Sequence, residues 1–119
     1  MLKPAVIVIA ACLFSGSALA HAHLKAAEPA EGARIAASPT ALSLSFSEAL
    51  EAKLSGVTLK GPDGKTIATG TAVLDAKDQR VLRVPLDGAL RAGKYTVHWR
   101  ALSKDGHSTH GSYAFTVAP

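Results

Sequence analysis

Several stretches of this chain alternate apolar and polar residues one for one, and that period of two limits the fold more than any other feature. Leu42, Leu44 and Phe46 fall on one face, with Ser43, Ser45 and Ser47 on the other. Leu82, Val84 and Leu86 repeat the pattern. Tyr95, Val97 and Trp99 do so against Thr96, His98 and Arg100, and Tyr113, Phe115 and Val117 close the chain in the same way. Successive side chains on a strand point to opposite faces, so each stretch reads as a half-buried strand. Val57 and Leu59 mark another strand, with weaker ones at Ile67 and Val73 on either side of Gly70. Turn signals separate the strands: Glu28-Pro29-Ala30-Glu31-Gly32, Ser38-Pro39, Gly61-Pro62-Asp63-Gly64, and the loop bracketed by Gly88 and Gly93. Glu48 to Ala52 suits one helical turn, and no helix of ordinary length is visible. The expected fold is an all-β sandwich or barrel.

The first twenty residues do not belong to that domain. Lys3 precedes an apolar run from Ala5 to Phe14, and Ala18-Leu19-Ala20 gives the small-x-small pattern of a signal-peptidase site. A spanning helix needs about 20 consecutive apolar residues, and Ser15-Gly16-Ser17 interrupts this run too early. Residues 1–20 therefore read as a cleaved signal peptide and 21–119 as one secreted domain, with His21 as its first residue. A lipidated start at Cys12 is the competing reading, but its leader would be shorter than the usual ~15–30 residues. Cleavage after Ala20 removes Met1 and Cys12, the only sulfur-bearing residues of the chain. Disulfides are then excluded, as are the soft ligands that favour Cu(I). Without Lys3, 12 Lys and Arg face 9 Asp and Glu, a formal +3. These basic residues are scattered and lack interleaved aromatics, which argues against a nucleic-acid partner.

Chemistry concentrates in two places far apart in sequence. A histidine at a free N-terminus can chelate a metal through its α-amine and ring Nδ1; both must be deprotonated, which is feasible near neutrality because their ordinary pKa values are about 8 and about 6.5. Near the other end, Asp105 and His107 flank Gly106, and side chains two apart in an extended segment share a side. Together, amine, imidazoles and carboxylate form a nitrogen and oxygen set suited to Cu(II). His23 offers a rival site. The amine, the two following backbone nitrogens and the imidazole of a third-residue histidine make a square-planar chelate, and both arrangements need the same amine. The loop has the advantage of two flanking strands that preorganise it. His98 reads as a surface residue, His110 as an accessory ligand or a solvated loop residue, and Glu48 as a surface charge.

The chain resembles the CopC family of periplasmic copper-binding proteins. The likeness rests on His21 after the Ala-x-Ala site, Glu28 to Gly32, Leu44-Ser45-Phe46-Ser47-Glu48, Ala92 to Arg100, and Ser103-Lys104-Asp105-Gly106-His107 leading to Gly111-Ser112. The resemblance implies a Greek-key β-sandwich or barrel, cupredoxin-like in shape, with an immunoglobulin-like sandwich as the alternative. It also implies one Cu(II) per chain held by His21, Asp105 and His107, with Glu48 as a further ligand in some accounts; His23 and His110 stand as accessory candidates. Some members carry a methionine-rich Cu(I) loop, but the matching stretch here, Lys60 to Gly70, has neither Met nor His.

The expectation is a monomeric periplasmic protein that sequesters Cu(II) in copper homeostasis or resistance, or hands it to a CopD-like inner-membrane copper protein. An N-terminal-histidine copper monooxygenase is the enzymatic alternative. Asp105 argues against it by adding negative charge that favours Cu(II), and no flat aromatic substrate face is evident. The remaining alternative is a metal-free interaction module.

Overall fold

The computed structural model describes residues 21–119; the expected signal peptide and Cys12 lie outside the described residues. In chain order the strands are β1 (Leu24–Glu28), β2 (Arg34–Ile35), β3 (Ala41–Phe46), β4 (Gly56–Lys60), β5 (Thr66–Ile67), β6 (Val73–Leu74), β7 (Val81–Pro85), β8 (Gly93–Leu102) and β9 (Ser108–Val117). They form two sheets, one ordered β1-β3-β7-β6 and the other β2-β9-β8-β4-β5. The chain passes repeatedly from one sheet to the other, so the core is closed by residues distant in sequence. The expected β-sandwich is what forms.

The alternating residues meet in the middle. Leu42, Leu44, Phe46, Leu82 and Val84 from the first sheet face Leu59, Tyr95, Val97, Phe115 and Val117 from the second, all nearly inaccessible. Truncating a buried phenylalanine such as Phe46 to alanine costs about 3–5 kcal/mol. Tyr95 stacks on Phe115 with ring centroids 5.7 Å apart and donates its hydroxyl hydrogen to the Arg91 carbonyl at 2.6 Å. Trp99 lies across β9 at Gly111, where an added Cβ would come within 2.6 Å of the indole, so only glycine allows this approach. The far edge of Trp99 meets Phe46 at 5.2 Å.

Two local expectations need correction. The helical turn is not at Glu48 to Ala52; a single 3-10 turn occupies Ala52–Leu54. Leu50 is fully buried, its N–H donates to the Gln79 carbonyl at 3.0 Å, and it bridges to Ser103, so burial and cross-chain pairing hold that segment extended. The second correction is β2, two residues that pair in parallel with Thr116 and Val117. A two-residue strand carries no period to read.

β8 and β9 are the longest strands and stay in register from Gly93↔Val117 to Leu102↔Ser108. Their tip is the Ser103–His107 loop. Strand β1 is the outer strand of its sheet, and its pairing with β3 brings the residues before it to the same end.

Candidate metal centre

The tip loop is built from its own hydrogen bonds. The Ser103 N–H donates to the His107 carbonyl at 2.9 Å, and the Gly106 N–H to the Ser103 carbonyl at 2.9 Å. Gly106 takes a φ of 95°, a left-handed conformation that a side chain makes costly. Outside contacts hold the loop down: Lys104 N–H reaches the Ala49 carbonyl at 3.1 Å, and Ser103 bridges to Leu50. Ser103 itself is 1% exposed.

Within this frame the Ser103 hydroxyl donates to the Asp105 carboxylate. The same carboxylate oxygen lies 3.2 Å from His107 Nδ1 and accepts from the His107 N–H at 3.4 Å. The Ser103 hydroxyl, aided by His107, holds Asp105 below the usual carboxylate range. A carboxylate kept ionised and beside an imidazole is half of an oxygen and nitrogen ligand set.

The other half arrives with the N-terminal segment. Ser47, just past β3, donates its N–H to the His23 carbonyl at 2.8 Å. Its hydroxyl accepts from the His23 N–H at 2.8 Å and donates to the His21 carbonyl at 3.3 Å. From the other sheet, the Thr109 hydroxyl donates to the Ala22 carbonyl at 2.8 Å, and Ala22 is fully buried. Pinned on both sides, His21 lies with its ring 4.7 Å from that of His107, centroid to centroid, at a tilt of 39°.

His21, His107 and Asp105 are thus brought to one end of the sandwich. Their donor atoms do not yet converge on a point: among the described residues no three His, Cys, Asp or Glu side chains form a ready-made metal cluster. Asp105 is turned toward Ser103 and His107, and in this chain the nitrogen of His21 is still in a peptide bond with Ala20. An amide nitrogen has lost its lone pair to resonance and is no substitute for an amine.

The accessory candidates take different places. Glu48 is half-buried in the bend after β3, where its charge acts on Arg80. His98 is exposed on β8 opposite Thr58 and Ser112, as a surface residue should be. His110 belongs to β9, opposite Arg100, and is not in the loop with His107. It shares with His23 a cleft of about 420 Å³ between the start of β1 and β9, lined also by Glu31, Trp99 and Tyr113. Burial raises the pKa of the Tyr113 hydroxyl, which has no hydrogen-bond partner there. A larger hollow of about 480 Å³ lies at the opposite end, among Pro62, Asp63, Asp87, Arg91 and Tyr95, and has no histidine in its lining. The hydroxyls of Ser47, Ser103 and Thr109 escaped the sequence reading. Their partners lie up to 87 residues away, and serine and threonine are too common to single out.

Known proteins resemble this chain over most of its length. The family model for the CopC domain matches residues 24–118. Protein YobA of Escherichia coli strain K12 is 41% identical over 116 residues, covering 98% of this chain and 94% of its own length. The crystal structure of CopC from Methylosinus trichosporium OB3b superposes with a TM-score of 0.78 at 34% identity, over 83% of this chain and 95% of that one. PcoC from Escherichia coli, described as a methionine-rich copper resistance protein, gives a TM-score of 0.74 at 36% identity, over 83% of this chain and all of the other.

Proposed function

The chain belongs to the CopC family, and from that premise we propose that it is a periplasmic carrier for one Cu(II), loaded after cleavage before His21. Copper is the cargo here. The α-amine and Nδ1 of His21, the carboxylate of Asp105 and an imidazole nitrogen of His107 hold it. These are borderline and hard donors, the set that Cu(II) prefers and Cu(I) does not. PcoC is described as methionine-rich, whereas residues 21–119 contain neither Met nor Cys. The missing sulfur supports a Cu(II) site rather than a thioether site for Cu(I). A coordinating carboxylate adds negative charge that favours Cu(II), so a carrier role fits better than an oxidase. Its acceptor would be a CopD-like inner-membrane copper protein.

The observation that carries this reading is the meeting of the His21 and His107 rings at 4.7 Å beside Asp105, with 85 residues of chain between the two histidines. The deciding experiment varies the amine. The 21–119 chain is made with one residue retained before His21, and that residue is then removed by protease. Removal should raise Cu(II) affinity by more than the ~10–100-fold typical of an outer-shell partner, with no change in the β-sheet circular dichroism. Equal affinity before and after removal would show that the amine is not a ligand.

A further inference from the structure

The amine of His21 has two rival uses, and the structure shows what chooses between them. In one, amine and Nδ1 join Asp105 and His107. In the other, the amine, the backbone nitrogens of Ala22 and His23, and the His23 ring close around the ion in one plane. The second arrangement needs residues 21–23 to curl so that three consecutive nitrogens face one point.

Several backbone groups that the curl would have to free are already engaged. The His23 N–H points at the Ser47 hydroxyl at 2.8 Å, and the His23 carbonyl accepts from the Ser47 N–H at 2.8 Å. The Ala22 carbonyl is held by Thr109 at 2.8 Å on the opposite sheet, with the Ala22 side chain fully buried. Past Ser47 the pairing continues into the β1–β3 ladder from Leu24↔Phe46. The two rings also part company, because the chain bends at His21, whereas residues two apart on a regular strand would share a face. His21 goes to His107, while His23 lines the cleft with Trp99 and His110.

We infer that Ser47 and Thr109 are specificity-determining residues: as a two-sided latch they pin the backbone of residues 21–23 and so commit the amine to the Asp105–His107 loop. Neither residue touches the metal. They act through the backbone of the segment that bears the ligand. The inference rests on the Cu(II) reading above and adds the reason that the local three-residue chelate does not form. A free His-Ala-His peptide has no such restraint and takes the local chelate.

The test uses the mature chain starting at His21, loaded with one equivalent of Cu(II), with visible absorption and circular dichroism as readouts and the His-Ala-His peptide as reference. Wild type should differ from the peptide. Ser47→Ala and Thr109→Val should each shift the balance toward the peptide spectrum by about fivefold, the worth of one net hydrogen bond; the double variant should shift it further. Adding His23→Ala to the double variant should abolish the shift, since the local chelate then lacks its ring. Ser47→Thr, which keeps the hydroxyl, should retain the wild-type spectrum and so separate the latch from any general loss of folding. Wild-type spectra in the fully copper-loaded Ser47→Ala/Thr109→Val protein would overturn the latch and leave the copper site standing. A wild-type protein that already matched the peptide, or took up no Cu(II), would overturn the site assignment as well.

Discussion

Two turns in this molecule share a sequence and almost share a geometry. Asp63-Gly64-Lys65 closes the β4–β5 hairpin, and Asp105-Gly106-His107 closes the β8–β9 pair. In each the glycine sits at positive φ, 82° for Gly64 and 95° for Gly106. In each the aspartate oxygen accepts from the N–H two residues on, at 3.0 Å from Lys65 and 3.4 Å from His107. They occupy opposite ends of β8, on the order of 30 Å apart for a strand of this length. The Asp-Gly turn is therefore a generic way to reverse a strand. What distinguishes the second copy is an imidazole where the first has an ammonium, a buried serine beneath the aspartate, and His21 alongside. On the reading proposed above, the metal site is a turn with neighbours.

The sharpest contrast is in copper binding. Asp105→Ala and His107→Ala should each lower Cu(II) affinity by about 100-fold or more, beyond the range for groups that only support a ligand. Asp63→Ala and Lys65→Ala should leave it unchanged. Lys65→His, which turns the first turn into a copy of the second, should create no tight site, because no amine or second imidazole lies beside it. Competition titrations across these variants measure all of this, and a tight second copper in Lys65→His would show that the turn alone suffices.

In folding, by contrast, the two turns should behave alike. Gly64→Ala and Gly106→Ala each place a Cβ on a left-handed residue, at a cost of about 1–2 kcal/mol. In neither would the Cβ meet a neighbour within 4 Å, so the cost is conformational and not steric. Denaturant midpoints should drop similarly for both, while copper affinity should fall only for Gly106→Ala.

The smallest effect lies in acid. The hydroxyl of Ser103, then His107, holds Asp105 below the ordinary carboxylate range. A lowered folded-state pKa means that its contribution to stability is complete above the unfolded value, about 3.9, and is lost as the pH falls through the lower folded value. Ser103→Ala should move the Asp105 titration of the metal-free protein upward, toward that ordinary value. Carboxyl chemical shifts followed against pH would show it, and an unmoved titration would remove Ser103 from the account of Asp105.

Much of the fold was legible because burial on one face of a strand writes itself as alternation. Leu42, Leu44, Phe46, Leu82, Val84, Tyr95, Val97, Tyr113, Phe115 and Val117 were marked as inward-facing and are buried. The segment Glu48 to Ala52 misled because its helical composition is overridden by burial of Leu50 and its bridge to Ser103, a contact more than fifty residues distant in sequence. At the site, His21, Asp105 and His107 were legible as ligand types at the ends of inferred strands. His110 was weighed as an accessory by proximity in sequence, and β9 places it in the cleft with His23; Glu48 was weighed through the family resemblance. The hydroxyls that orient the ligands were invisible, since a serine declares its role only through the partner that folding brings to it.

The position of residues 21–23 has a consequence in time. They run into an outermost strand, tethered by a few hydrogen bonds from Ser47 and Thr109, with only Ala22 packed into the core. Such a segment opens locally at a small fraction of the free energy that unfolds the sandwich. How long copper stays and how firmly the protein is folded are then separate quantities, set at different places. Chelator-exchange rates measured well below the denaturation midpoint should track the first and be indifferent to the second. On the carrier reading proposed above, the cargo would leave through one loosened strand end while every sheet remains closed.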